Sequence, residues 1–250
     1  MQNSNVQPRP FSLLPLYEQE HLQHVTGGVL RPGGTALTAE LIALADLPPK
    51  AVMLDVGCGA GHTLQLMHEN SRFSPIGIDL SLTMLAKSNI QAPGVPKGVA
   101  TATALPFTAC SYDGVMAECS LSLTESISAS LEEMYRVLKP GGKLLLSDIY
   151  RKRGHQESPA GNMHSCLNTF LSLEEIKKAV TKTGFSLRYL QDCTSLLKQL
   201  AGQLIFSYGS MEQFWQLIMD EETARQTCSR LAKVSLGYYA LVAEKRTHNG

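Results

Sequence analysis

Val52-Met53-Leu54-Asp55-Val56-Gly57-Cys58-Gly59-Ala60-Gly61-His62-Thr63 is the stretch that decides the fold of this chain. Its opening residues are mostly apolar, which suits a strand covered on both faces. The three glycines that follow let the backbone turn tightly and approach a ligand without a Cβ in the way. A helix then opens near His62. The spacing is Gly-x-Gly-x-Gly, whereas the dinucleotide-binding fingerprint is Gly-x-Gly-x-x-Gly, and His62 stands where its last small residue would fall. A redox enzyme on NAD is disfavoured by that spacing.

Pro75-Ile76-Gly77-Ile78-Asp79 is a second apolar strand ending in a carboxylate. It follows the glycine turn by about 20 residues, the distance at which an acidic side chain accepts from both hydroxyls of a ribose. A lone glycine turn is weak evidence, and the pair is much stronger.

With both features in place, the chain resembles the class I S-adenosylmethionine-dependent methyltransferases, whose first motif matches Asp55-Val-Gly-Cys-Gly-Ala-Gly61. That resemblance implies a Rossmann-like, doubly wound α/β fold with a seven-stranded mixed sheet, and S-adenosyl-L-methionine as cofactor. The family's cofactor contacts carry over to Asp55, Gly57, Cys58, Gly59, Gly61 and Asp79, with Leu80 and Met84 beside the adenosine. Met84 equally suits a core position by its helical spacing. Val99-Ala100-Thr101-Ala102-Thr103-Ala104-Leu105-Pro106-Phe107 resembles the third-strand motif of the quinone-type branch, in which Gly-Asp-Ala precedes Leu-Pro-Phe. Thr101 replaces that carboxylate next to Ala102, and its hydroxyl is still able to accept from the adenine amino group.

Twenty-two basic and 22 acidic residues cancel, so no net field draws the protein to nucleic acid or an anionic membrane, and a small-molecule substrate is expected. The N-terminus has no basic stretch ahead of an apolar run, and no apolar segment is long enough to span a bilayer. The chain therefore reads as cytoplasmic. Cysteines at 58, 110, 119, 166, 193 and 228 form no Cys-x-x-Cys pair, as expected of reduced thiols.

Residues 1–10, with two prolines, read as a flexible arm, and 11–250 as a single methyltransferase domain. Within it, 11–49 read as cap helices over Leu13–Gln23 and Thr35–Asp46. The resemblance places Tyr17 and Arg31 there, near the cofactor's methionine end, although Arg31 equally suits helix packing. The next strands are expected at Phe73–Asp79, Tyr112–Cys119 and Lys143–Ile149, with helices at Leu82–Ile90 and Glu125–Leu138. Ser172-Leu-Glu-Glu175 is a capping box opening a helix before a sixth strand at Phe185–Asp192. Residues 194–233, including Phe206, Phe214 and Trp215, read as a helical insertion ahead of the last strand, Val234–Ala243. Such an insertion suits a lid or a homodimer contact.

In open α/β sheets, ligands lie beyond the carboxyl ends of the strands, which names Glu118, Cys119, Asp148 and Tyr150. Glu118-Cys119-Ser-Leu-Ser-Leu123, Ser147-Asp148-Ile-Tyr150 and the later Cys166 are similar to arsenite methyltransferases. That family uses two thiolates at these places to hold a trivalent metalloid, a match of soft ligand to soft centre, and they carry over to Cys119 and Cys166. Two departures stand out: Glu118 replaces an asparagine, and no cysteine precedes Cys58. Either cysteine taken alone reads as a small buried hydrophobe. The alternatives are methylation of carbon, nitrogen or oxygen on an organic metabolite, with Glu118 or Asp148 as base, and a cofactor-binding module without turnover. No metal site is expected, since His164-Ser165-Cys166 has no second ligand cluster to complete it.

Overall fold

The computed structural model describes Glu18, Val29 and residues 31–70, 72–153, 171–217 and 219–247. Tyr17, all but Glu18 of the expected first helix, and residues 154–170 with His164 and Cys166 lie outside the described residues. Helix α1 (Gly34–Leu44) precedes β1 (Ala51–Val56), α2 (His62–Glu69), β2 (Phe73–Asp79), α3 (Leu82–Gln91), β3 (Lys97–Val99) and β4 (Tyr112–Glu118). Then follow α4 (Ile127–Val137), β5 (Leu138–Arg153), α5 (Leu173–Lys182) and β6 (Phe185–Asp192). The insertion comprises α6 (Thr194–Tyr208), α7 (Met211–Gln216) and α8 (Glu221–Lys233), and β7 (Ser235–Lys245) closes the sheet.

The strands form one seven-stranded sheet in the order β3-β2-β1-β4-β5-β7-β6, with β7 antiparallel to both neighbours. Strand order reverses between β1 and β4, and the crevice at their carboxyl ends is where such a sheet receives ligands. Period-two alternation sorts the side chains into two layers. Leu54, Val115, Leu144, Leu146 and Tyr239 pack with α4 and α5 through Leu131, Met134, Ile176 and Val180. Met53, Met116, Leu145 and Tyr238 pack with α1, α2 and α3 through Leu41, Leu64 and Leu85.

Local signals explain most boundaries. Ser81 caps α3 by accepting from the Met84 N–H, and Ser172 with Glu175 forms the full capping box of α5. The fifth strand departs from the sequence expectation. It starts at Leu138 rather than Lys143, because Leu138 already pairs with Tyr112 and the Lys139-Pro-Gly-Gly run is absorbed as a register shift. Gly141, at φ +79°, supplies the left-handed residue that this shift requires. The insertion has its own apolar cluster, built from Leu204, Phe214, Trp215 and Ala224 against Ile149 of β5.

The far end of β7 is tied to the α4–β5 junction by a buried lysine. Lys245 Nζ donates to the carbonyls of Tyr135 and Leu138, 2.7 Å each, and lies 4.6 Å from the centre of the Tyr135 ring. These are carbonyls at a helix C-terminus, where a cation also meets the favourable end of the dipole. Replacing Lys245 with alanine orphans both, and urea denaturation is expected to show a loss of about 2 kcal/mol.

Candidate active site

The glycine turn is held in shape by β2. Gly57 and Cys58 donate their N–H groups to the Ile78 carbonyl at 2.8 and 2.9 Å, and the Gly59 N–H donates to Asp79 Oδ2 at 2.8 Å. Asp79 Oδ1 accepts from Ser81 N at 2.8 Å, so one carboxylate fixes both the turn and the start of α3. Gly57 has φ +77°, and a Cβ there would meet the Ser120 Cβ at 2.5 Å. Gly61, at φ +89°, faces Ser88 in the same way. The cradle therefore closes on bare backbone.

Met84 is buried, its methyl 3.6 Å from where a Cβ on Gly59 would lie, whereas Leu80 is 67% exposed. Thr101 and the buried Ala102 lie just past β3, whose Val99 pairs with Asp79. The Thr101 hydroxyl is engaged with Thr103 at 3.0 Å. Asp55, the three loop glycines, Asp79, Met84 and the Thr101 turn thus gather at the carboxyl ends of β1, β2 and β3. Cys58 is buried beneath the turn, and burial pushes its thiol well above the ordinary range, so it is a packing group there.

Across the crevice, Glu118 ends β4 as a buried carboxylate surrounded by donors. Thr38 of α1 donates to its two oxygens at 3.0 Å, Thr63 of α2 at 2.9 Å and Ser147 of β5 at 3.4 Å. Arg31 Nη2 lies 3.1 Å from Glu118 Oε2 and donates to both threonines. Burial works against the charge on Arg31, but Glu118, Tyr238, Asp55 and Cys119 around it hold its pKa above the ordinary value. Nothing in the sequence pattern marks Thr38, and Thr63 and Ser147 stand in the quoted stretches without a role of their own, each like an ordinary small polar residue.

Alternation alone would send the Cys119 side chain to the α4–α5 layer, opposite Glu118. Cys119 instead has φ +50°, and that left-handed backbone returns its thiol to the Glu118 side, 3.3 Å from Tyr238 Oη. Asp148 follows alternation and faces away from this group. Its oxygens accept from Ser122 N at 2.9 Å, Ser122 Oγ at 2.8 Å and Ile149 N at 2.8 Å, which pins the turn after β4. The structure therefore brings Glu118 and Cys119 together and does not join Asp148 or Tyr150 to them. Tyr150 packs against Tyr239 on the other face.

Among the described residues, Asp55 Oδ2 and Arg31 Nε are buried in this crevice without a hydrogen-bond partner, as is Ser88 Oγ behind Gly61. Burial and the nearby Glu118 push Asp55 up to about 8, against the pull of Arg31. An acid and a guanidinium with unmet valences match the ammonium and carboxylate of an amino-acid group. Together with the glycine cradle and Asp79, they fit the adenosine and methionine ends of S-adenosylmethionine. Among the described residues no group of three or more His, Cys, Asp or Glu is placed to hold a metal, and no helix is long and apolar enough to cross a membrane.

Residues 54–146 match the methyltransferase domain family Methyltransf_11. The chain is 26% identical over 198 residues to a phosphoethanolamine N-methyltransferase of Triticum aestivum, covering 78% of this chain and 36% of that protein. It is 30% identical over 152 residues to a demethylmenaquinone methyltransferase of Renibacterium salmoninarum, covering 60% and 63% of the two chains. The chain thus spans less than two thirds of the length of these curated relatives. A phosphoethanolamine N-methyltransferase 2 of Haemonchus contortus, solved with phosphomonomethylethanolamine and S-adenosylhomocysteine, superposes with a TM-score of 0.72 at 22% identity, over 90% of this chain and 56% of that one. Fold, glycine loop and domain match together identify a class I S-adenosylmethionine-dependent methyltransferase domain.

The raised carboxyl of Asp55 has a consequence for stability. The folded protein keeps a proton here that the unfolded chain releases, so this group's contribution is full below about pH 4 and is lost as pH rises to about 8. Asp148, pushed up to about 6 by burial, acts with the same sign over the lower part of that range. Urea midpoints at pH 6 and 8 are therefore expected to fall with pH in the native protein, and to fall less in Asp55→Asn.

Proposed function

We propose that the protein transfers the methyl group of S-adenosylmethionine to a small-molecule acceptor presented at the carboxyl end of β4, beside Cys119. The observation that carries this is the pair of buried polar atoms, Asp55 Oδ2 and Arg31 Nε, that have no partner among the described residues, beside a glycine cradle whose Asp79 is fixed by backbone donors. When bound there, the sulfonium donor supplies an already activated methyl group. The chain's task is then alignment and exclusion of water.

In this scheme Asp79 receives the ribose, Thr101 and Ala102 border the adenine, and Asp55 and Arg31 hold the amino-acid end. Glu118 acts as a tether rather than a base, since its oxygens already serve Arg31, Thr38 and Thr63. Asp148 shapes the acceptor side by holding Ser122. Residues 11–250 work as one unit, and the insertion 194–233 borders the acceptor entrance or joins two copies.

A trivalent metalloid as acceptor is a second reading, supported by the turned-in thiol of Cys119. Its other thiol, Cys166, lies outside the described residues. An organic amine or quinol is supported instead by the names of the relatives. Incubation of the protein with labelled donor and arsenite, an amino-alcohol phosphate or a reduced quinone separates them. Label on arsenite that disappears in Cys119→Ser is the metalloid outcome, and label on an organic acceptor rejects it.

Calorimetric titration with S-adenosylhomocysteine tests the donor site. Tight binding is expected in the native protein, weakened at least about tenfold in Asp79→Ala. Equal affinity in the two proteins would reject the assigned ribose contact.

A further inference from the structure

Tyr238 of β7 has no counterpart among the residues that the sequence singled out, yet it is fully buried with its hydroxyl between two site groups. Its oxygen lies 3.3 Å from Cys119 Sγ and 3.0 Å from Ser147 Oγ, and Ser147 donates onward to Glu118 Oε1 at 3.4 Å. We propose that Tyr238 is a positioning residue that sets the orientation and ionisation of the Cys119 thiol, by turning its single hydroxyl proton between Ser147 and Cys119. The proposal rests on Cys119 bordering the acceptor, as argued above.

The donors line up in one direction. With Cys119 protonated, its S–H donates to Tyr238 Oη, the tyrosine O–H donates to Ser147 Oγ, and the serine O–H donates to the Glu118 carboxylate. When the thiol proton leaves to bulk base, the S–H bond breaks and its electron pair stays on sulfur. The tyrosine hydroxyl then rotates to donate to the thiolate, while Ser147 stays on Glu118. No other proton moves. Tyr238 remains a phenol throughout, because burial, with Cys119 and Glu118 nearby, holds its pKa well above the ordinary value.

Backbone contacts keep the parts in place. Cys119 N donates to the Ser147 carbonyl at 2.8 Å, so the strained turn is locked to the strand that carries the middle of the chain. Tyr238 N donates to Thr194 Oγ1 at 3.4 Å and Tyr238 O accepts from Cys193 N at 2.7 Å, which clamps the tyrosine to the root of the helical insertion. Among the described residues, the charged and titratable groups around the thiol include Arg31 ahead of α1, Glu118 on its own strand and Tyr238 and Tyr239 on β7. Tyr189, Cys193 and Cys58 share its apolar cluster. Arg31 favours the thiolate and Glu118 opposes it. Neither contacts the sulfur in the way that the Tyr238 hydroxyl does.

The test is the pH dependence of iodoacetamide alkylation at Cys119, followed by mass spectrometry of its peptide in the full chain without ligand. Tyr238→Phe keeps the ring and removes the donor, and the alkylation midpoint is expected to rise by about one to two pH units. Ser147→Ala removes the competing acceptor, frees the tyrosine proton for sulfur, and is expected to lower the midpoint. A merely structural role would move both variants the same way. An unchanged or lowered midpoint in Tyr238→Phe overturns the proposal, as does an unchanged or raised one in Ser147→Ala. Should Tyr238→Phe fail to fold by circular dichroism, the serine variant decides alone. Methyl transfer that survives Cys119→Ser would remove the thiol from the acceptor site, an outcome distinct from the two midpoints.

Discussion

The site depends on one buried ion pair. Arg31 and Glu118 meet at 3.1 Å, and around them Thr38, Thr63 and Ser147 bring α1, α2 and β5 to the end of β4. Desolvating two such charges costs several kcal/mol, and their attraction offsets that only when the remaining valences are satisfied. Here the threonine hydroxyls satisfy Glu118, and what stays unmet is Arg31 Nε together with Asp55 Oδ2. Among the described residues these two open valences lie together in the crevice, where a charged amino-acid group would complete them. A hydrophobic replacement of the pair would pack as well without fixing where α1 sits relative to the glycine turn.

Alternation of side chains along the strands does the second part of the work. It puts Asp55, Glu118, Ser147 and Tyr238 on the face covered by α1 and α2, and Asp148, Tyr150 and Tyr239 on the face covered by α4 and α5. A single left-handed residue, Cys119 at φ +50°, breaks the rule where the chain leaves the sheet. Backbone strain of this kind costs of order 1–3 kcal/mol and persists only where the surroundings over-determine it. Ser147 and Tyr238 supply that constraint from two neighbouring strands.

These two devices explain what the sequence made legible. The glycine-turn half of the crevice is written locally: Asp55 to Gly61 and Asp79 sit on contiguous strand-turn segments whose spacing is itself the signal, and β2 and β6 fall within the bounds that their apolar runs predict. The group around Glu118 and Cys119 is assembled from residues 29 to 119 positions apart in the chain, such as Ser147 with Glu118 and Cys119 with Tyr238. Pairing of that kind leaves no periodicity to read. Asp148 shows the same limit from the other side. Its position at a strand end predicted a site residue, but the register of β5 turned it toward Ser122. The start of β5 was misplaced for a related reason, since a Pro-Gly-Gly run normally ends an element and here is held by pairing of Leu138 with Tyr112.

The insertion joins these halves. Its first helix begins at Thr194, whose hydroxyl and preceding residue hold both backbone groups of Tyr238, and whose own cap is fixed by Asp192 and Lys152. Leu196 of the same helix fills the space beside Gly33, two residues from Arg31. One element therefore touches both Tyr238, which supports the Cys119 thiol, and the segment that leads to Arg31. Because interfaces of packed side chains shift between discrete arrangements rather than deforming smoothly, a movement of α6 would disturb Tyr238 and the Arg31 segment together. A helical insertion between the last two strands is thus placed where its packing reaches both Tyr238 and the Arg31 segment, while among the described residues it supplies none of the groups that line the glycine cradle.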